Sequence, residues 1–149
     1  MRLNKLLLLN ILAFYFFSCS PKLPEDVALA MDDLPDKLDY NQHVKPILSD
    51  KCFACHGPDK AKQKAGLRLD MAETAYADLV KKPGKVAINP GDLAGSEFFH
   101  RIVSQDPDYI MPTPGSHLTL SAKEKAVLIK WIEDGAEYKP HWAFVKPEK

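Results

Sequence analysis

The segment Cys52-Phe53-Ala54-Cys55-His56 decides the fold of this chain. Two cysteine thiols at this spacing can add to the two vinyl groups of one haem, and the histidine that follows is then held beside the iron as a ligand. This pattern is typical of c-type haem attachment. We therefore expect one haem c, covalently attached through Cys52 and Cys55, with His56 as a ligand of its iron.

Three other kinds of site use two cysteines at this spacing, and the sequence weighs against two of them. A structural zinc site needs four ligands, and no cysteine follows Cys55. A redox-active thiol pair of the thioredoxin type follows a β-strand, and no alternating pattern precedes Cys52. A plain disulfide between Cys52 and Cys55 is the third alternative, and it stays open.

The N-terminus has the pattern of an export signal. Arg2 and Lys5 supply positive charge, and residues 6–17 are almost wholly apolar, as in a secretory signal peptide. The apolar stretch is shorter than the roughly 20 residues of a transmembrane helix, although an uncleaved membrane anchor is the alternative. We predict a lipoprotein signal peptide over residues 1–18. Export fits the haem motif, because haem attachment of this kind is carried out outside the bacterial cytoplasm.

The residues around Cys19 resemble a bacterial lipobox, in which a small residue precedes the cysteine that receives the lipid. Ser18 is that small residue, and a lipid on Cys19 would account for the third cysteine of the chain. An ordinary signal peptide with a coincidental cysteine is the alternative. Residues 19–39 are then a lipidated, acidic and proline-containing tether. This predicts a membrane-anchored lipoprotein in the periplasm or at the cell surface.

Residues 40–149 are predicted to form one domain. A chain of 149 residues is long enough for a single domain of ordinary size. Its 20 basic residues are balanced by 20 acidic ones, so it lacks the basic excess that is typical of nucleic-acid binding. No segment alternates convincingly with period two. We therefore predict an all-α fold, with several short helices and long loops around one covalent haem.

Four helices are expected in this domain, over residues 44–52, 71–80, 96–105 and 121–135. The second has Asp70 as its N-cap. The last is the best defined, because Ser121 and Glu124 form a capping box and Gly135 lies where a C-terminal cap belongs. Trp131 lies on the apolar face of this last helix. We expect the first and last helices to pack together beside the haem.

Several short motifs, in a fixed order, resemble planctomycete-type cytochrome c domains. They extend from about residue 40 to 144 and comprise His43-Val44-Lys45-Pro46-Ile47-Leu48, the segment 51–59, Gly66-Leu67-Arg68-Leu69-Asp70, Pro90-Gly91-Asp92, Ile110-Met111-Pro112, the segment 131–136 and Pro140-His141-Trp142-Ala143-Phe144. The resemblance implies covalent haem and a cytochrome c fold. Domains of this family usually open a much longer protein, so this chain is either a free-standing version or a truncated one.

Met111 is predicted to be the second ligand of the iron. Histidine with methionine is a common pair of haem ligands, and it raises the reduction potential. Met111 lies between two predicted helices, in a loop that Pro112 and Pro114 stiffen. The resemblance agrees, because this loop matches the segment in which such domains carry their distal methionine. His117 and His100 are the next candidates.

Two iron ligands from the protein leave no open position for a substrate, so the sequence favours an electron carrier over a stand-alone enzyme. The prediction is a monohaem cytochrome that transfers electrons outside the cytoplasm to a redox partner protein. The alternative is the N-terminal module of a larger oxidoreductase whose fused catalytic domain is missing here. Lys60, Lys62, Lys64 and Arg68 follow the haem motif, and they are either a solvated loop or a docking edge for an acidic partner.

Overall fold

A computed structural model describes residues 21–140 of the chain. The predicted signal peptide, the predicted lipidation site at Cys19 and residues 141–149 lie outside the described residues. Within the described part of the chain, no helix has both the length and the apolar character needed to cross a membrane.

Short helices and one small hairpin follow each other along the chain. The helices are α1 (Glu25–Met31), α2 (Lys45–Lys51), α3 (Phe53–His56), α4 (Ala72–Ala75), α5 (Glu97–Val103) and α6 (Ala122–Glu133). A π-helical turn (Tyr40–Val44) leads into α2, and a 3₁₀ turn (Pro114–Ser116) lies before α6. The strands β1 (Asp78–Leu79) and β2 (Lys82–Val86) pair in antiparallel orientation.

The prediction of an all-α fold is wrong. Helices and helical turns make up 41% of the described residues, and the antiparallel pair of β1 and β2 gives the fold mixed content. The second predicted helix, over residues 71–80, is also too long, since α4 ends at Ala75. The carboxylate of Asp70, which was expected to cap that helix, instead accepts a hydrogen bond from Arg68, with 2.9 Å between Nε and Oδ1.

Backbone hydrogen bonds explain why α4 stops and a hairpin follows. The carbonyl oxygen of Ala75 accepts a hydrogen bond from the backbone N–H of Ile88 at 2.9 Å, so it is not available to continue the helix. In the hairpin, Gly84 adopts a φ of +78°, and its N–H donates to the Asp78 carboxylate at 3.3 Å. Because β1 has two residues and β2 contains Pro83 and Gly84, neither strand is long or regular enough to give an alternating pattern.

The core lies between α1, the π-helical turn, α2 and α6. Val44 and Leu48, from the first predicted helix, are fully buried in the same cluster as Leu128 of α6. The rings of Tyr40 and Trp131 lie 5.9 Å apart between centroids. The π-helical turn that leads into α2 therefore packs against α6, whereas the position of these segments beside a haem stays a prediction.

Both ends of α6 have the predicted form. The hydroxyl of Ser121 accepts a hydrogen bond from the N–H of Glu124 at 3.2 Å, and the Glu124 carboxylate accepts one from the N–H of Ser121 at 2.7 Å. At the other end, Gly135 has a φ of +100°, and the N–H of Ala136 donates to the carbonyl of Trp131 at 2.7 Å. This is the Schellman arrangement, in which a residue with positive φ ends the helix.

Helix α1 belongs to the packed structure, although it lies in the segment that the composition predicts to be a tether. Glu25 and Asp26 occupy its first turn, where negative charge interacts favourably with the helix dipole. Val27 is fully buried, and α1 packs against α6. Packed structure therefore begins upstream of residue 40.

Candidate haem-binding site

An apolar cavity of about 620 Å³ lies between the haem motif, the hairpin, α5 and the loop that follows α5. Cofactor pockets commonly have volumes of about 300–1,000 Å³. Cys52, Cys55, His56 and Met111 all line this cavity. The larger apolar side chains of its wall are Leu67, Leu69, Leu79, Phe98, Ile102, Pro112, Leu118 and Leu120.

A single helical turn brings the three residues of the motif together. The carbonyl of Cys52 accepts hydrogen bonds from the N–H groups of Cys55, at 3.1 Å, and His56, at 2.8 Å. Residues three and four apart on a helix lie on the same face, so both sulfur atoms and the imidazole share one side of this turn. Gly57 completes the turn, because a Cβ at that position would lie 2.4 Å from the carbonyl oxygen of Phe53.

The loop after the motif folds back onto it. The N–H of Lys64 donates to the carbonyl of Cys55 at 2.9 Å, and the N–H of Leu69 donates to the carbonyl of His56 at 2.7 Å. These bonds fix the loop over the motif and carry Leu67 and Leu69 into the cavity wall.

The imidazole of His56 is in the state that a metal ligand requires. Burial lowers its pKa, and polar backbone groups of Leu67 and Lys64 only partly oppose this effect, so the ring is neutral at pH 7. Its Nδ1 is buried without a hydrogen-bond partner among the described residues. Buried polar atoms without a partner are rare, and neutral histidine is a common metal ligand.

The two cysteines are free thiols, so the structure contains no disulfide between them. Cys52 is 9% exposed, and burial raises the pKa of its thiol to about 12. Within residues 21–140, no three side chains of His, Cys, Asp or Glu are grouped as the ligands of a bare metal ion would be.

Met111 is held by α5. Its N–H donates to the carbonyl of Arg101 at 3.1 Å, and the Arg101 guanidinium donates to the carbonyl of Tyr109 at 3.2 Å. The two histidines considered as alternatives do not line the cavity. A ring nitrogen of His100 lies 2.8 Å from the carbonyl oxygen of Ala94, and His117 is an exposed residue at the end of the 3₁₀ turn.

The basic residues after the motif separate into two groups. Lys64 lines the cavity. Arg68 is paired with Asp70, and Lys62 Nζ lies 3.7 Å from the carboxylate of Asp59. Their role as a docking edge stays a prediction.

Sequence reasoning missed one charged group in the wall of the cavity. The Glu97 side chain is 4% exposed, and its Oε1 lies 2.5 Å from Lys82 Nζ and 3.2 Å from Arg101 Nε. Burial alone would raise the pKa of Glu97, but hydrogen bonds from Lys82 and Tyr109 and the charges of Lys82 and Arg101 hold it below its ordinary value. The four-residue spacing of Glu97 and Arg101 on one helix indicates in the sequence that these two side chains interact. No such spacing indicates Lys82, because the hairpin brings it to Glu97.

The residues in this cavity fit a covalently attached haem. Two free thiols, a neutral imidazole and a thioether line one apolar space. Thiols can form thioether bonds with the macrocycle, and histidine and methionine are both established haem ligands. When bound, the haem would supply an iron that gains or loses one electron.

Comparison with known families agrees with this chemistry. The family model described as Planctomycete cytochrome C matches residues 52–115, from the first cysteine of the motif, past Met111, to the 3₁₀ turn. No curated protein and no solved structure matches the chain. Residues 52–115 are therefore similar to the cytochrome c domains of the planctomycete family, and this similarity supports haem binding and electron transfer, with Cys52 and Cys55 as candidate attachment residues.

Proposed function

We propose that this protein is a monohaem electron carrier that works outside the cytoplasm, with His56 and Met111 as the ligands of its haem iron. The observation that supports this most strongly is the shared cavity. His56 from α3 and Met111 from the loop after α5 line the same apolar space as the two cysteines. Two protein ligands leave no coordination position for a substrate, which suits electron transfer.

Each group of residues in the cavity has a physical role in such a carrier. The thiols of Cys52 and Cys55 attach the haem, and His56, neutral because it is buried, offers an unprotonated nitrogen to iron. The apolar side chains exclude water, and a hydrophobic shell of this kind controls the reduction potential through the local dielectric. Hydrogen bonds to α5 limit the freedom of the Met111 loop to leave the site.

Mass spectrometry of the protein made with a haem-maturation system tests the attachment. The wild type should carry one covalent haem, and the double change Cys52→Ala and Cys55→Ala should yield the mass of the apoprotein. Cys19→Ala is the matched control, since it removes a cysteine that is not part of the haem motif and should keep the haem. An apoprotein mass for the wild type would contradict the proposal.

The iron ligands are tested by the weak near-infrared band that sulfur-to-iron charge transfer produces in the oxidised state. The wild type should show this band, and Met111→Ala should lose it and have a lower reduction potential. Met71→Ala is the matched control, because Met71 is 36% exposed and does not line the cavity. If Met111→Ala kept both the band and the potential, another residue would be the ligand.

We also propose that Cys19 carries a lipid that anchors the protein to a membrane after export. The support is the small residue before Cys19 and the apolar stretch that precedes it. Anchoring is stable when two acyl chains are present, whereas one chain binds reversibly. The wild type should partition into membranes, and Cys19→Ala should release it and change its processing. Equal solubility and the same N-terminus for both forms would contradict the proposal.

A further inference from the structure

The cavity carries an excess of positive charge. Among the described residues, five cations and one carboxylate line it: Lys51, Lys64, Lys81, Lys82, Arg101 and Glu97. Charges at apolar surfaces are stable when they are paired. Lys51 is paired with Asp50, and the single carboxylate among these residues cannot pair fully with the other four cations, so the cavity is suited to a ligand that brings negative charge of its own.

Two of the cations lie at the end of the cavity that holds the cysteines. Lys51 directly precedes Cys52, and its ammonium group lies 2.8 Å from the Asp50 carboxylate. The backbone of Lys64 is hydrogen-bonded to the carbonyl of Cys55. The other three cations come from the hairpin and from α5.

Lys82 and Arg101 share two contacts, one with Glu97 and one with Tyr109. Both contact the same oxygen of Glu97, at 2.5 Å and 3.2 Å. Both also lie over the ring of Tyr109, with 5.3 Å from Lys82 Nζ and 4.4 Å from Arg101 Cζ to the ring centroid. Two cations around one carboxylate leave one positive charge uncompensated at this part of the wall.

The guanidinium of Arg101 also has unused donors. Its Nε donates to Glu97 and its Nη1 to the carbonyl of Tyr109, and its Nη2 makes no hydrogen bond within the described part of the chain. Arginine binds carboxylates through pairs of parallel N–H groups, and such charge-assisted bonds are roughly twice as strong as neutral ones. An additional carboxylate in the cavity would find donors already in place.

Haem c carries two propionate carboxylates, at the edge of the macrocycle away from the two vinyl-derived thioethers. We propose that Arg101 and Lys82 bind these propionates and that Glu97 is the positioning residue that holds both cations at the cavity wall. This inference rests on the proposed function, since it requires the haem to be attached at Cys52 and Cys55.

Loss of either cation should lower the reduction potential. A positive charge beside the haem destabilises the oxidised iron more than the reduced iron. It also compensates the negative charge of the propionates, which stabilises the oxidised state. Holoprotein carrying Arg101→Gln or Lys82→Gln should therefore show a three- to tenfold lower ratio of reduced to oxidised protein at a fixed applied potential. A tenfold change corresponds to about 60 mV for one electron.

Lys85→Gln is the matched control for charge. Lys85 Nζ lies 3.8 Å from the same Glu97 carboxylate, and its side chain is 62% exposed, but it does not line the cavity. The ratio of reduced to oxidised protein should change less than twofold in Lys85→Gln. Arg101→Lys should recover most of the ratio that Arg101→Gln loses, because it keeps the charge.

Resonance Raman spectra distinguish propionate binding from a general effect of charge. The propionate bending mode should shift in Arg101→Gln, Lys82→Gln and Glu97→Gln, and it should stay unchanged in Lys85→Gln. If Glu97 had only a structural role, Glu97→Gln would leave the propionate bending mode unchanged as long as the rest of the haem spectrum is intact. Lys82 lies on the hairpin rather than on α5, so its variant tests the proposal even if Arg101→Gln disturbs the fold of α5 and the loop after it.

The inference is overturned if the propionate mode is the same in all variants, or if Lys85→Gln lowers the ratio as much as Lys82→Gln does. The wild type could carry a covalent haem and show the sulfur-to-iron band while the variants behave in this way. That result would refute the propionate inference and leave the proposed function intact. A wild type without covalent haem would refute the proposed function as well.

Discussion

Replacing Trp131 by alanine tests the core that supports the haem motif. Trp131 is 4% exposed, its ring centroid lies 5.1 Å from that of Tyr138, and its Nε1 donates to the carbonyl of Glu137 at 3.1 Å. Removal of a buried aromatic side chain costs about 3–5 kcal/mol in the free energy of unfolding. We expect a value near 5 kcal/mol, because the Glu137 carbonyl also loses its donor, at about 1 kcal/mol.

Urea unfolding of the holoprotein, followed by far-ultraviolet circular dichroism, measures this loss. With an m-value of about 2 kcal/mol/M, a loss of 4–5 kcal/mol lowers the unfolding midpoint by about 2 M. Trp131→Phe keeps an aromatic ring and loses the hydrogen bond, so it should cost about 1–2 kcal/mol. Val80→Ala is the exposed control, at 76% exposure, and should change stability by less than about 0.5 kcal/mol.

The reasoning fails if Trp131→Ala shifts the midpoint by less than about 0.5 M while Val80→Ala behaves as expected. Such a result would mean that Trp131 does not hold α6 against the π-helical turn. Because a loss near 5 kcal/mol is comparable to the total stability of many domains, about 5–15 kcal/mol, the phenylalanine variant keeps the test measurable if the alanine variant does not fold.

Four further substitutions probe other parts of the structure. Val27→Ala should cost about 1–3 kcal/mol because Val27 is fully buried, whereas Leu29→Ala on the same helix, at 65% exposure, should be nearly neutral; urea midpoints of the two variants compare them. Ser121→Ala removes the N-cap of α6 and should cost about 1 kcal/mol by the same assay. Glu97 has a lowered pKa, so its ionised form adds stability above its unfolded-state pKa of about 4.3, and that contribution disappears as the pH falls through the folded-state value. Glu97→Gln should therefore be less stable than the wild type at pH 7 by about 1–3 kcal/mol, and unfolding measured down to about pH 3.5 should show the difference shrinking.

Local patterns predicted those parts of the fold that local interactions determine. The capping box at Ser121 and the end of α6 at Gly135 both depend on hydrogen bonds within a few residues. The spacing within the haem motif likewise requires a single turn, and the structure has that turn. Met111 was placed in a loop between two helices, and this loop contributes to the same cavity.

The remaining features depend on contacts between distant parts of the chain. The burial of Val27 requires α6, about 100 residues further on, so the sequence around α1 resembles a solvated tether. Helix α4 ends where Ala75 bonds to Ile88, and the residues after it carry no sign of that partner. Lys82 contacts Glu97 in the cavity wall because the hairpin brings the two residues together. The strands of that hairpin are too short to give an alternating pattern, so the sequence did not indicate this contact.

The position of α1 limits how far the haem domain can stand from a membrane. Helix α1 begins at Glu25 and is packed against α6, so it cannot lengthen the connection to a lipid without loss of that packing. From Cys19 to Glu25 an extended chain spans at most about 20 Å. If Cys19 carries the proposed lipid, the domain is confined to a thin layer above the bilayer. Partners that expose their own redox centre in this layer meet it at a raised effective concentration, whereas partners that stay further from the membrane do not reach it.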